Sequence, residues 1–405
     1  MKPPDQSVRQ GRNSLFEDED MKNLIAFVTS LATSQGAMAA THYMSAANAF
    51  GLKNMQYALE ENASDNVIYS PISAHLALNM LLNGAASKTA NEIAKTLNLT
   101  PGALAASNGE MMKRMEDLNS RPNGELKLTL ANGMWTKPDL KVKPAYETAM
   151  QKYFQAEVAP LNSPAQINKW AADKTNNLIT NVIDDIGGLE MFLANVTYFK
   201  ADWTMPYGKA YDGTFSSLGA TTPEKAQMMS GKKYIRYLKT VNAEVVDLPY
   251  GNQKLASMII ILPVKDVDFA GFRKQADPNY VESLIADLEK AAEQRVFVTI
   301  PKVNAKTTFE MKGSLSAMGM PTVFTNAADL SGIREEPLKL SRVKQEAVIK
   351  IDENGTDAAA VTSIGPETAS ARRPLISFEA DHPFLYFIRD NKSGVILFAG
   401  QIVKP

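Results

Sequence analysis

Ser230-Gly231-Lys232-Lys233 sets a serine hydroxyl three positions before a lysine amine, a spacing at which the amine can act as base to a nucleophilic serine. Ser64-Asp65-Asn66 and Lys392-Ser393-Gly394 complete, on paper, the set used by penicillin-recognising serine enzymes. In those enzymes the Ser-x-x-Lys element comes first, whereas here Ser64-Asp65-Asn66 precedes it. Three patterns this short arise by chance in 405 residues. There is no HExxH and no GxSxG, and Gly231-Lys232 lacks the upstream glycine of a phosphate-cradling loop. Zero cysteines remove thiol catalysis, disulfides and thiolate metal sites. His42, His75 and His382 are too scattered in sequence for a His-rich metal site, and acidic pairs such as Asp184-Asp185 read as solvated. No metal, no cofactor and no enzymatic activity are expected.

The segment with the most chemical interest lies near the C-terminus. Residues 354–377 form a long connection rich in small side chains, running on from Asp352-Glu353 into Phe378-Glu379-Ala380-Asp381-His382-Pro383-Phe384-Leu385-Tyr386-Phe387-Ile388. Loops longer than about 12–15 residues without structure of their own are usually functional or disordered. This one is written like a strand: at period two, Thr356, Ala358, Ala360 and Thr362 share a face and Asp357 takes the other. A small-residue face of that kind suits a segment able to enter a sheet.

The elements that must hold such a loop come earlier. Residues 41–60 carry apolar groups at helical spacing, and Ser70-Pro71 opens an apolar helix that Asn83-Gly84 closes, serine being expected to cap it. Further helices are expected around 90–97, 146–154 and 167–183. Residues 126–135 alternate like a strand, and Met191–Phe199 is apolar on both faces, as a central strand should be. Strand patterns then dominate at 234–238, 244–248, 255–262, 296–303, 347–352 and 384–389. Helices first and strands later, with no linker or repeat, indicate one α+β unit.

Composition narrows the partners. With 43 basic against 44 acidic side chains there is no basic footprint, so nucleic acid is not expected. From Met21 one basic residue precedes an apolar stretch from Leu24 to Ala32 and then Ala37-Met38-Ala39, the order of a secretory signal peptide cleaved after Ala39. The stretch is too short to span a bilayer, so no membrane partner is expected. Residues 1–20 are acidic overall, wrong for a leader, and read as an upstream extension with Met21 as the start. The mature chain, 40–405, is expected to be a single domain that is secreted, periplasmic or extracellular.

Over about 50–405 the sequence resembles the serpin family. Residues 66–85 (NVIYSPISAHLALNMLLNGA) are similar to its shutter helix, and 193–203 (LANVTYFKADW) to a central-sheet strand. VVDLPY at 245–250 and ASMIIILP at 256–263 resemble later strands, GTDAAA at 355–360 the inhibitory hinge, and FEADHPFLYFI at 378–388 the family signature. The resemblance implies the serpin fold, an α+β arrangement of three β-sheets, eight to nine helices and an exposed reactive-centre loop at about 354–377. It implies an irreversible suicide-substrate inhibitor of serine proteases. The target cuts the loop and forms an acyl-enzyme, and insertion of the freed arm into the central sheet carries the tethered protease away before hydrolysis is complete. An arm from Thr356 to Ala369 spans roughly 46 Å at ~3.3 Å per residue. About ten ladder bonds at ~0.5–1.5 kcal/mol each supply on the order of 10 kcal/mol.

Roles follow residue by residue from the resemblance. Glu353, Gly355, Thr356, Ala358, Ala359 and Ala360 are the hinge, glycine permitting the turn and threonine accepting a strand environment. Ser70, Ser73 and Asn195 match polar shutter positions, Gln345 stands where the family usually has histidine, and Trp203 matches the residue beneath the loop's entry point. Family spacing puts the cut at Ala369–Ser370, which suits elastase-like or subtilisin-like proteases. The alternative is Arg372–Arg373, a trypsin-like target placed late in the loop. Pro366 lacks an N–H and sits awkwardly in an inserted strand. The partner expected is one serine protease in a covalent 1:1 complex with a monomer. No heparin-type basic helix is present in 99–125. A non-inhibitory serpin acting as carrier, chaperone or structural protein is the other reading.

Overall fold

The computed structural model describes residues 43–99, 126–356 and 375–405, with Gly109, Met112 and Glu116 from the stretch between the first two. The expected leader, Ala358–Ala360, Pro366 and both candidate scissile bonds lie outside the described residues.

Fifteen strands occur among the described residues. In chain order they are β1 (Val67–Tyr69), β2 (Leu126–Thr136), β3 (Glu157–Pro160), β4 (Met191–Asp202) and β5 (Tyr211–Phe215). Next come β6 (Glu224–Lys239), β7 (Ala243–Tyr250), β8 (Ala256–Pro263), β9 (Glu293–Pro301) and β10 (Val303–Glu310). The last are β11 (Arg342–Ile351), β12 (Gly355–Thr356), β13 (Ile376–Glu379), β14 (Phe384–Asp390) and β15 (Ile396–Ile402). One sheet has six strands in the order β10-β11-β12-β4-β2-β3. The other two of the expected three are joined through β6. Its residues Met228–Arg236 pair with β9, next to β13, while Tyr237–Lys239 pair with β7 and lead into β8, β14, β15 and β1. The fold is the α+β arrangement expected.

The helix Pro71–Gly84 is apolar all round and is buried from end to end except at Asn83, as a helix inside a core should be. Ser70 holds its N-cap position, but the hydroxyl makes no capping bond and donates instead to Leu397 O at 2.7 Å. β4 is buried on both faces because its side chains alternate between two cores. Met191, Leu193, Phe199 and Ala201 join the main core, whereas Phe192, Ala194 and Val196 pack with Trp135, Trp170, Ile179 and Ile183.

The helix expected over 167–183 is shorter than its pattern. It runs Pro164–Lys174, with Ser163 capping it through Gln166 N. Asn176 and Asn177 then take positive φ (50° and 62°), which Asn tolerates and a continuing helix does not. Ile179, Val182 and Ile183 are buried all the same, in an irregular stretch laid over the six-stranded sheet. Amphipathic spacing recorded burial there, not conformation.

His75 is enclosed on the Pro71–Gly84 helix, edge-on to Tyr43 and Phe50, with Nε2 donating to Leu97 O at 3.1 Å and Nδ1 without a partner among the described residues. Burial pushes its pKa down from 6.5 to about 4. The unfolded chain therefore takes up a proton that the native one refuses as pH falls from 6.5 towards 4, and stability is lost across that window by up to about 1.4 kcal/mol per pH unit from this group. Denaturant titrations of the native chain and His75→Leu should show the variant to be less stable at neutral pH, with the gap narrowing as pH falls. A gap that stays constant would contradict the assignment.

Candidate functional site

β4 and β11 lie side by side and parallel, paired from Phe192–Arg342 to Tyr198–Val348. Above that point they part, and β12 stands between them. Gly355 faces Asp202 and Thr356 faces Ala201 on one side, while Thr356 faces Ile351 on the other. The chain reaches this position through a tight reversal centred on Asp352. Its N–H donates to Gly355 O at 2.8 Å, and its Oδ1 accepts from Asn354 N (3.0 Å) and Gly355 N (3.3 Å).

Glycine is needed at 355 for a different reason from the turn expected. Its φ is not in the left-handed region; the constraint is contact. A Cβ there would lie 2.1 Å from Ala201 O and 2.6 Å from Asp202 Cα, both backbone atoms of the neighbouring strand. Thr356 is fully buried, its hydroxyl 2.9 Å from Tyr250 Oη. Trp203 packs against the Asp352 reversal. Its indole N–H donates to Asp352 O at 3.0 Å, its backbone N–H donates to Asn354 O at 2.7 Å, and its ring stacks on Tyr250 at 4.3 Å.

Glu353 is held by main chain and by charge. Its carbonyl accepts from Tyr207 N (2.8 Å), Oε1 accepts from Ala210 N (3.1 Å), and Oε2 pairs with Lys302 at 2.9 Å. Burial pushes this carboxyl up, but the Lys302 ammonium and the N–H donors outweigh it and leave it below its ordinary range. Below the 205–207 strap, Lys233 donates to Met205 O and Pro206 O and lies 3.7 Å from the Tyr207 ring centre. Burial alone lowers this amine to about 7. Sequence reasoning missed Tyr207, Lys233, Tyr250 and Lys302. Lys233 stood out only as part of the false Ser-x-x-Lys pattern.

Further down the same strand pair, the structure brings together Ser70, Ser73, Asn195 and Gln345. Gln345 is the register partner of Asn195 across β11 and β4. Gln345 Nε2 donates to Asn195 Oδ1 (2.8 Å) and Ser70 O (3.1 Å), and its Oε1 accepts from Ser70 N (2.8 Å). Asn195 Nδ2 donates to Ser73 Oγ and to Asn132 Oδ1 (2.8 Å). All five side chains are buried, so each needs the others. Glutamine fills the place of an ionisable group, leaving no titrating member. Asn132 was missed. Its signal was its position at the centre of the alternating 126–135 strand, where an apolar residue would ordinarily face the core.

Among the described residues of this site, no nucleophile stands beside a base. What the geometry offers is mechanical: two strands closed at one end and wedged open at the other, with a chain segment already in the opening.

The family model described as serpin (serine protease inhibitor) matches residues 45–405. Iripin-2 of Ixodes ricinus is 30% identical over 410 residues, covering 96% of this chain and all of that protein. Serpin B8 of Homo sapiens is 31% identical over 366 residues, 85% of this chain and 95% of the relative. Among solved structures, the thermophilic serpin tengpin in its native state superposes with a TM-score of 0.80 at 25% identity, over 90% of this chain and 94% of that one. Human thyroxine-binding globulin, solved with its hormone, does so equally at 0.80 and 25%, over 90% and 99%. With the family model matched over residues 45–405 and relatives of 30% identity or more along most of its length, the chain belongs to the serpin family.

Proposed function

We propose that this serpin is an irreversible suicide-substrate inhibitor of serine proteases of the elastase-like or subtilisin-like class. One observation supports the reading: Thr356 pairs with β4 and β11 at once and Gly355 with β4, at the head of the gap that an inserting strand would fill. Each further residue would add backbone bonds on two sides while separating β4 from β11. The residues that follow, Thr356, Ala358 and Ala360 on one face, bury little side-chain entropy.

In this reading the protease cuts after Ala369 and is held through its serine as an ester to the Ala369 carbonyl, with Ser370 as the new N-terminus. Insertion then removes the ester from the geometry that deacylation needs. The inhibitor is consumed once, as a monomer in a covalent 1:1 complex, and is not a catalyst. The apolar leader at 21–39 supports action outside the cytoplasm. The likeness to thyroxine-binding globulin keeps a carrier role as the competing reading. Incubation with a subtilisin-like protease separates the two, since an inhibitor gives an SDS-stable complex and a carrier gives only cleaved chain.

Three outcomes are expected. First, limited proteolysis in the loop should raise the melting temperature substantially, because a completed central strand adds stability on the order of 10 kcal/mol. An unchanged melting curve would remove insertion from the account. Second, Thr356→Arg should yield cleaved chain and almost no complex. A guanidinium would have to enter the fully buried site against Tyr250, at a cost of several kcal/mol. Gly355→Ala should fail in the same direction through its clash with Ala201 O, and full complex yield from either variant would contradict the hinge assignment. Third, mass spectrometry of the subtilisin complex should find a fragment starting at Ser370. Trypsin should cut after Arg372 and be inhibited poorly, because about 10 Å of extra tether slackens the trapped enzyme. Stoichiometric trypsin inhibition with a fragment starting at Arg373 would move the reactive bond there.

A further inference from the structure

Asn354 precedes a residue without a side chain, so no side chain at 355 hinders attack of the Gly355 nitrogen on the carboxamide carbon of Asn354. Four other Asn-Gly pairs occur, and two of them, 108–109 and 123–124, involve residues outside the described set. The remaining two are held. Asn83 Nδ2 donates to Asn79 O at 2.7 Å at the end of a buried helix. Asn132 Oδ1 accepts from Asn195, and Gly133 is paired on both sides, with Ala194 of β4 and Glu157 of β3. Asn354 differs from both. Its main chain is anchored, the N–H on Asp352 and the carbonyl on Trp203 N, but its half-buried carboxamide makes no hydrogen bond among the described residues. Among the described residues the Gly355 N–H donates to Asp352 Oδ1, at 3.3 Å.

We propose that Asn354 is a site of spontaneous deamidation, and that its conversion disables the hinge. The Gly355 nitrogen attacks Asn354 Cγ, the N–Cγ bond forms, and the side-chain NH2 leaves as ammonia with the amide proton. Water then opens the cyclic imide at either carbonyl. One opening leaves an ordinary aspartate at that position. The other gives isoaspartate, in which the main chain runs through Cβ and Cγ and is longer by one carbon. That extra atom sits between the Asp352 reversal and the Gly355–Asp202 pairing, which fits its neighbours so closely that a single Cβ is excluded. Either product also adds a carboxylate beside Asp352 and Glu353, where Lys302 is already engaged. The consequence for protease trapping rests on the insertion reading above; the chemistry does not. Conversion would turn an ageing inhibitor irreversibly into a plain substrate.

The test incubates the full-length chain in mildly alkaline buffer and follows it over time. Peptide mass and enzymatic methylation report isoaspartate at each Asn-Gly pair, hydrogen exchange reports docking of 355–356, and gel analysis reports protease complex. Conversion should occur at Asn354 while Asn83 and Asn132 stay intact, exchange protection at 355–356 should vanish in the converted fraction, and complex yield should fall in step. Asn354→Gln, which removes the reactive length of the side chain, should age without any of these changes. Retention of Asn354 over a period in which the urea-unfolded chain converts would overturn the proposal, as would converted chains that keep their protection at 355–356. If fresh protein traps no protease, the insertion reading fails, while mass and exchange still decide this one.

Discussion

The pairing of β4 with β11 has to satisfy two opposed demands. In the resting chain these strands saturate each other's backbone groups from Phe192 to Tyr198, because unpaired N–H and C=O groups inside a sheet are costly. For the proposed mechanism the same pairs must separate and accept a new strand. The structure meets both demands by leaving the pair closed below and wedged above, with β12 as the wedge. The Asn195–Gln345 bond crosses the closed part, so the polar cluster must break its own cross-strand link whenever the sheet opens. A cluster of amides and hydroxyls can exchange partners without creating an isolated charge, which a buried ion pair could not do.

Around the wedge, packing is asymmetric. One side is rigid: Ala201 O and Asp202 Cα exclude any side chain at 355, and the Trp203–Tyr250 stack walls off Thr356. The other side is polar and charged, with Glu353 tied to Lys302 and to the 207–210 strap. Beneath that strap lies Lys233, a buried amine resting on two carbonyls and an aromatic face. Burial disfavours its charged form and lowers it to about 7, although two carbonyls and an aromatic face are contacts that suit a cation. The loop is therefore gripped by steric fit on one side and by electrostatics on the other.

Much of this was legible beforehand, and the exceptions have causes. Met191–Phe199 reads as a central strand because both its faces are apolar, and it is one. The helix at 71–84 is equally plain. By contrast, β6 runs over Glu224–Lys239 although only 234–238 showed a strand pattern, since residues 224–236 belong to one sheet and 237–239 to another. The 175–183 stretch kept helical spacing without the helix because two asparagines reversed the backbone while its apolar side chains still reached the sheet.

What the sequence by itself determined is therefore what depends on near neighbours: alternation, amphipathic spacing, the run of small residues after Gly355 and the lack of cysteine. Tertiary structure alone decided which distant groups complete those elements. Thr356 meets Tyr250, Asn195 meets Asn132, Glu353 meets Lys302, and each partner lies 50 or more positions away. Nothing in a local pattern encodes such a meeting, because it depends on how whole sheets stack. Gly355 shows the division at a single residue. Its identity was readable as a hinge glycine, but the reason for it, the backbone of β4 standing where a Cβ would be, exists only once the strands are side by side.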